Sequence, residues 1–126
     1  MPTFTVYACE GRLSSDQKLA IADVLSTIHY TENGVPKWCA QTIFLSVLSG
    51  DHFIGTKTAS ADHIFIRADT RPGRTMKKKT RMIERMVTEV SEASKIDLSH
   101  FWVYVNEVSV IAEYELVYPA SNLKHT

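Results

Sequence analysis

The chain has 126 residues, of which 44% are hydrophobic and 22% are charged, so it has enough apolar sequence to form the core of one domain. Fourteen basic and fourteen acidic residues give a formal net charge of zero, whereas a general nucleic-acid-binding protein is normally basic. Only five glycines and four prolines are present, which argues against disordered or collagen-like sequence. We expect a single globular domain over residues 1–126.

The cysteines and the first residues bear on the cellular compartment. Cys9 and Cys39 each lie in an apolar run, and two thiols are too few for a disulfide scaffold, which favours a reducing compartment. Residues 1–6 lack the basic stretch and apolar core of a signal peptide, and no apolar run is long enough to cross a bilayer. The sequence predicts a cytoplasmic protein with no membrane partner.

The first half of the sequence has the pattern strand, helix, strand. Alternating apolar residues predict a strand over residues 3–9, and the capping box of Ser14 and Gln17 predicts the start of a helix. Gly34 tolerates a positive φ and ends the helix, and a β-rich apolar run over residues 39–48 predicts a second strand that starts near residue 41. The predicted buried face of the helix consists of Leu19, Ala22, Leu25 and Ile28 or His29, and Ile21 and Val24 widen it.

The same pattern recurs about 60 residues later. Residues 62–67 predict a strand, Thr75 is a candidate N-cap of a helix that runs to about Lys95, and residues 101–105 predict the last strand. The predicted buried face of this helix consists of Ile83, Met86, Val87, Val90, Ala93 and Ser94.

Two copies of strand–helix–strand predict two βαβ units, over about residues 1–60 and 61–126, because a helical crossover connects parallel neighbours. The two units can pair into one four-stranded sheet of the α/β class with both helices on one face. The other face of the sheet is then uncovered. Since an apolar sheet face needs a partner, we expect a homo-oligomer.

Two arginines stand where the strand of the second unit meets its helix. Arg71 and Arg74 flank a Pro-Gly pair, and two guanidinium groups beside free N–H groups at a helix start suit a small carboxylate or phosphate. Two solvated loop arginines fit the spacing equally well. The basic residues over 77–85 favour a solvated helix face over a nucleic-acid contact.

The histidines and cysteines have no metal-ligand spacing, and the sequence lacks a glycine-rich phosphate loop, so we expect neither a metal nor another cofactor. His29 closes the apolar face of the first helix, where a core or capping role is commoner than a site role.

Pro2 is a candidate acid or base. Initiator Met is normally removed before proline, which leaves a secondary amine at the start of a strand. Modest burial or a nearby charge can tune the pKa of such an amine across neutrality. Because proline is common in second position, this role needs further residues to support it.

Four further features that could belong to one site follow Pro2 along the chain. They are His29, the Arg71–Arg74 pair, residues 100–104 with Tyr104, and Glu113-Tyr114 followed by Pro119. With Pro2 and the duplicated βαβ pattern, this set resembles the tautomerase superfamily, in particular the branch of cis-3-chloroacrylic acid dehalogenase. The resemblance implies a homotrimer in which Pro2 is the general acid or base. It implies that a small carboxylate substrate is held by Arg71, Arg74 and His29, and that Tyr104 and Glu113 activate water.

The sequence also departs from the dehalogenase pattern. Val35 and Cys39 replace a threonine and a leucine, and the link from Tyr104 to Glu113 is two residues shorter, which makes Glu115 an alternative to Glu113. These departures leave the expected fold unchanged and the substrate open.

Three functions are therefore compatible with the sequence. The leading hypothesis is a hydratase or dehalogenase of small α,β-unsaturated carboxylates such as 3-haloacrylates, with weak tautomerase activity and a protonated Pro2. The second is a keto–enol tautomerase in which neutral Pro2 is the general base. The third is a trimeric binding protein without catalytic activity.

Overall fold

The computed structural model describes residues 2–109, and the predicted site residue Glu113, with its alternative Glu115, lies outside this range. The described elements are β1 (Thr3–Cys9), α1 (Ser15–Asn33), β2 (Gln41–Val47), β3 (Phe53–Ile54), β4 (Lys57–Thr58), β5 (Ile64–Thr70), α2 (Met76–Ser94) and β6 (Phe101–Glu107).

The four long strands form one sheet in the order β2-β1-β5-β6, and β3 and β4 form a separate hairpin. β1 is parallel to β2, and β5 is parallel to β6, each pair being joined through a helix. β1 and β5 meet antiparallel in the centre, with Thr3 opposite Asp69. The predicted four-stranded arrangement of two βαβ units is confirmed.

The helix ends have the predicted signals. The backbone N–H of Gln17 donates to Ser14 Oγ at 3.1 Å, and the backbone N–H of Ser14 donates to Gln17 Oε1 at 2.8 Å. Gly34 ends α1 with a φ of 72°, in the left-handed region. The Thr75 hydroxyl accepts from the backbone N–H of Lys78 at 3.1 Å, so Thr75 is the N-cap of α2.

The core lies between the helices and one face of the sheet. Phe4 and Val6 of β1 and Ile64 and Ile66 of β5 are fully buried there, because alternate residues of a strand point to the same face. The buried residues of each helix face this core. They are Ile21, Leu25, Ile28 and His29 in α1 and Met82, Met86, Val90 and Ser94 in α2.

Each helix buries part of its predicted face, and the rest of that face is shifted. Leu19 is 72% exposed, because it stands two residues, or about 200° of helical turn, from the buried Ile21. In α2 the buried row is spaced by four residues from Met82, so Ile83 and Val87 lie beside it and are only partly buried.

The start of the second strand near residue 41 is confirmed, since Lys37–Cys39 form a 3-10 turn and β2 begins at Gln41. The bounds of two other strands differ from the predictions. β5 runs over Ile64–Thr70 rather than 62–67, and β6 continues to Glu107, because Thr70 and Glu107 are partners in the parallel register.

The face of the sheet opposite the helices is uncovered in the single chain. Its aromatic residues pack on one another, with ring centroids 5.3 Å apart for Tyr7 and Phe65 and 4.9 Å apart for Phe65 and Tyr104. Ile43 and Leu45 on β2 are 40% and 45% exposed. We call this surface the uncovered face.

Candidate active site

Topology brings dispersed parts of the sequence to one edge of the sheet. Because β1 and β5 are antiparallel, the start of β1 lies beside the end of β5. Pro2, which precedes β1, and Arg71, which follows β5, therefore lie at the same edge of the sheet. α1 runs back to this edge with its last turn, and α2 begins there, as the contact between Asn33 and Arg74 shows. We call this region the proline edge, formed by Pro2, His29, Asn33, Arg71 and Arg74.

The loop that carries the two arginines is held by hydrogen bonds on both sides. Arg74 donates from Nε to Asn33 Oδ1 at 3.1 Å and from Nη1 to the carbonyl of Arg71 at 2.6 Å. The backbone N–H of Gly73 donates to Glu107 Oε2 at 3.0 Å. Gly73 has a φ of 109°, which side chains rarely allow. These contacts set the position of the Arg74 guanidinium group and of the Arg71 backbone, and both arginine residues are partly buried.

His29 is only 1% exposed. Its Nδ1 lies 3.0 Å from Asn33 Nδ2, and its Nε2 is buried without a hydrogen-bond partner among residues 2–109. Burial lowers the pKa of His29 to about 4, and the positive charge of Arg74 acts in the same direction. His29 is therefore a neutral imidazole at neutral pH, with one buried nitrogen left for a ligand.

Pro2 is buried at the start of β1. Its carbonyl accepts a hydrogen bond from the backbone N–H of Gln41 at 3.1 Å, which ties the residue to β2. A proline held in this way has a fixed position at the proline edge, so that its nitrogen, once it is the amino terminus, is a positioned secondary amine.

Tyr104 is not brought to the proline edge within one chain. It lies on β6 opposite Arg67, points to the uncovered face and is 52% exposed. Of the predicted site residues in the described range, the structure thus brings together Pro2, His29, Arg71 and Arg74, and it places Tyr104 elsewhere.

Asn33 and Glu107 are parts of this site that the sequence did not predict. Asn33 is interpretable from sequence as a helix-ending residue, yet its side chain bridges His29 and Arg74. The four-residue spacing from His29 was the available signal, since residues four apart are neighbours on a helix. Glu107 gives no such signal, because it contacts Gly73 and Lys79 only through the parallel pairing of β5 and β6.

A second group of histidines lies at the opposite edge of the sheet, where β1 ends and β5 begins. Cys9, His52 and His63 line a cavity of about 40 Å³ there. The ring of His63 contacts those of His52 and Trp102, with centroids 5.0 and 5.3 Å away. We call this region the histidine edge. Residues 2–109 contain no group of three His, Cys, Asp or Glu side chains that could hold a metal ion.

The two arginines of α2 are paired with acids. Arg81 and Arg85 both contact Glu32, at 2.6 and 3.1 Å, and Arg85 also contacts Glu89 at 2.7 Å. These ion pairs favour the interpretation of this surface as a solvated helix face. In the described part of the chain, no helix combines the length and apolar character that crossing a membrane requires.

Comparison with known proteins gives the family. Residues 1–113 match the model of the Tautomerase_3 family, described as "Putative oxalocrotonate tautomerase enzyme", and the chain belongs to this family. A solved structure described as N1, a member of the cis-3-chloroacrylic acid dehalogenase (cis-CaaD) family, is 30% identical, with a TM-score of 0.86 over 98% of this chain and 87% of that chain. The resemblance inferred from the sequence is confirmed.

Other similar structures show the fold alone. Native fused 4-OT is 16% identical with a TM-score of 0.80, over 97% of this chain and 98% of that one. The F6 fused 4-OT, described as a wild-type asymmetric trimer, is 16% identical with a TM-score of 0.81, over 96% and 98% of the two chains. The comparison with curated proteins finds no match.

Proposed function

We propose that the protein is a cofactor-free enzyme that adds water to small α,β-unsaturated carboxylates, with weak tautomerase activity. With a 3-haloacrylate, hydroxide would add at C3 and a proton at C2. The resulting 3-halo-3-hydroxypropanoate would lose HX to give 3-oxopropanoate. The observation that carries the proposal is the convergence of buried Pro2, neutral His29 and the Arg71–Arg74 loop at one edge of the sheet.

The arginines and His29 are assigned to the substrate carboxylate. Two guanidinium groups supply the positive charge, and the imidazole supplies a neutral hydrogen-bonding nitrogen. Drawing electrons toward the carboxylate makes C3 a better target for water, and donors held in place before the reaction stabilise the charge that develops. The Arg71–Arg74 loop suits this need because its hydrogen bonds hold the loop backbone and limit how far the Arg74 guanidinium group can move.

Pro2 is assigned the proton transfer at C2. This role requires that Met1 be removed, because an amide nitrogen has no useful basicity. The positive arginines disfavour a protonated Pro2, and a bound carboxylate offsets that effect. Pro2 can therefore act as the acid of a hydration, whereas in the empty site the same charges favour the neutral amine that a keto–enol tautomerase uses as its base. This electrostatic competition makes the tautomerase the second candidate.

Tyr104 and Glu113 are assigned to the activation of water, with Glu115 as the alternative to Glu113. Tyr104 points away from the proline edge of its own chain, so this role requires a Tyr104 from another subunit. We therefore propose a homotrimer in which the uncovered face of one subunit borders the proline edge of the next. The apolar uncovered face supports assembly, as does the fold shared with fused 4-OT proteins described as trimers.

The assembly is tested with a pair of leucine variants. Leu45→Asp places a charge on the uncovered face and should dissociate the trimer, because a buried, unpaired charge is strongly unfavourable. Leu19→Asp makes the same change on the solvent side of α1 and should leave the protein trimeric. Sedimentation gives the mass of each variant, and a trimeric Leu45→Asp would contradict the proposed interface.

The reaction is tested by titrating the Pro2 nitrogen by NMR, with the unreactive carboxylate propionate bound, in a sample whose intact mass shows that Met1 is absent. A pKa well above neutrality, with halide release from 3-haloacrylates, supports the hydratase and dehalogenase. A pKa near or below neutrality, with enol–keto conversion, supports the tautomerase. A matched control that keeps an uncleaved amino-terminal extension has Pro2 as an amide and should be inactive. Absence of turnover after Met1 removal contradicts both and leaves a binding protein.

A further inference from the structure

Asn33 connects His29 to Arg74 at the proline edge. Its Oδ1 accepts a hydrogen bond from Arg74 Nε at 3.1 Å, and its Nδ2 lies 3.0 Å from His29 Nδ1. Nδ2 also lies 3.6 Å from the sulfur of Met82, which is a second acceptor. All three contacts agree on one orientation of the Asn33 amide.

Arg74 decides that orientation. A guanidinium group can only donate hydrogen bonds, so the atom of Asn33 that faces it must be the oxygen. The amide N–H then faces His29, and His29 Nδ1 has to accept. A neutral imidazole accepts through one ring nitrogen and donates through the other, so its single proton is on Nε2. The chain of contacts from Arg74 thus selects the tautomer of His29.

We propose that Asn33 is a positioning residue that holds His29 in the Nε2–H tautomer, so that His29 offers a neutral hydrogen-bond donor to the substrate carboxylate beside Arg74. The tautomer follows from the contacts alone, whereas the identity of the ligand rests on the proposed function. A second observation supports a ligand at this place. His29 Nε2 is buried and has no partner among residues 2–109, and a buried N–H is costly to leave unpaired.

The protein without any substitution gives the first test. ¹⁵N NMR of the His29 ring, recorded where the imidazole is neutral, distinguishes a protonated Nε2 from a protonated Nδ1. We expect the Nε2–H form. The Nδ1–H form would overturn the inference, whatever the enzyme turns over.

Two variants of Asn33 give the second test. In Asn33→Asp the carboxylate accepts from both neighbours, which favours the Nδ1–H tautomer and turns the lone pair of Nε2 toward the ligand. Asn33→Ala removes both contacts without adding charge and leaves the Nε2–H form accessible. With propionate as an unreactive probe, we expect the dissociation constant to rise on the order of tenfold or more in Asn33→Asp and by less in Asn33→Ala.

The ring tautomer of His29 in Asn33→Asp separates positioning from a structural role, because the negative charge of the aspartate weakens propionate binding whatever the tautomer. If Asn33 only braced Arg74, the aspartate would still accept from Arg74 Nε and the neutral His29 ring would keep the Nε2–H form. An Nε2–H form retained in Asn33→Asp, or propionate binding at the strength of the unsubstituted protein, would overturn the inference. If the tautomer and its reversal are observed while no unsaturated carboxylate is converted, the positioning role of Asn33 stands and the proposed function is wrong.

Discussion

The two edges of the sheet each hold a buried histidine, and they use it differently. His29 at the proline edge and His63 at the histidine edge both have a buried Nε2 without a partner among residues 2–109, and burial is the main cause that lowers the pKa of each. His29, however, is linked through Asn33 to Arg74, whereas His63 packs against the rings of His52 and Trp102. Burial and a lowered pKa therefore do not distinguish the two edges, and the link to Arg74 is what favours the proline edge as the candidate site.

The largest expected difference between the edges is in catalysis. Arg74→Ala should lower kcat/KM for an unsaturated carboxylate by about 10²–10³-fold, the effect of losing one donor that stabilises developing charge. Arg12 is the matched control at the histidine edge, where it pairs with Asp62 at 2.6 Å. Steady-state kinetics of Arg74→Ala and Arg12→Ala measures this difference. Equal losses of kcat/KM in the two variants would contradict a site at the proline edge.

The next difference concerns stability toward acid. Since the pKa of His29 is about 4 in the folded chain and 6.5 is its ordinary value, the unfolded chain binds more protons between these pH values. The stability is therefore fully present above pH 6.5 and is lost as the pH falls toward 4. The loss is up to about 3 kcal/mol in the free energy of unfolding.

Urea unfolding at a series of pH values measures this dependence. His29→Gln should flatten the curve between pH 6.5 and 4. His63→Gln should flatten it less, because the larger lowering of the pKa is at His29. An unchanged slope in His29→Gln would show that His29 does not titrate as the structure indicates.

Two glycines with positive φ provide a smaller contrast. Gly73, with a φ of 109°, lies in the arginine loop, and Gly50, with a φ of 91°, lines the cavity at the histidine edge. Alanine at either position should cost about 1–2 kcal/mol of stability through backbone strain. Only Gly73→Ala should also lower kcat/KM, because it displaces the loop that carries Arg71 and Arg74. Thermal unfolding and kinetics of the pair test this, and full activity of a destabilised Gly73→Ala would contradict it.

The smallest effect is expected at the Arg12–Asp62 ion pair. Both side chains are partly exposed, at 28% and 46%, so Asp62→Ala should lower the free energy of unfolding only slightly, and less in high salt. Chemical denaturation in low and high salt measures this, and a larger loss would mean that the histidine edge depends on its charges more than its exposure suggests.

Local patterns were sufficient to predict the elements that depend on neighbouring residues. The capping box of Ser14 and Gln17 and the turn at Gly34 are short-range features, and the structure has both. The repeated strand–helix–strand pattern led to the two βαβ units, because few connections between parallel strands are possible. The buried faces of the helices were misplaced by one or two residues, since a wide apolar stripe does not determine the rotation of a helix against its sheet.

The candidate site was predictable only in part. The resemblance to a known family pointed to His29, Arg71 and Arg74. From position alone, solvated loop arginines were an equal alternative, and a core or capping role was favoured for His29. The bridge through Asn33 could not be predicted, because Asn33 and Arg74 are 41 residues apart and meet only when α1 returns to the edge at which α2 begins. Tyr104 was predicted for the same site, whereas its direction depends on the register that places it opposite Arg67.

By itself, the sequence determined the order of the strands and helices along the chain and the positions of the helix caps. It also determined which reactive groups are present, with Pro2 before β1 and Arg71 and Arg74 after β5. The order and the caps follow from periodicity and from interactions within a few residues. Only the tertiary structure decided which side chains share an edge, because the antiparallel meeting of β1 and β5 joins the two units and brings Pro2 to Arg71. It also decided that His29 is buried, neutral and linked to Arg74, since burial and hydrogen bonds between distant residues arise only on folding.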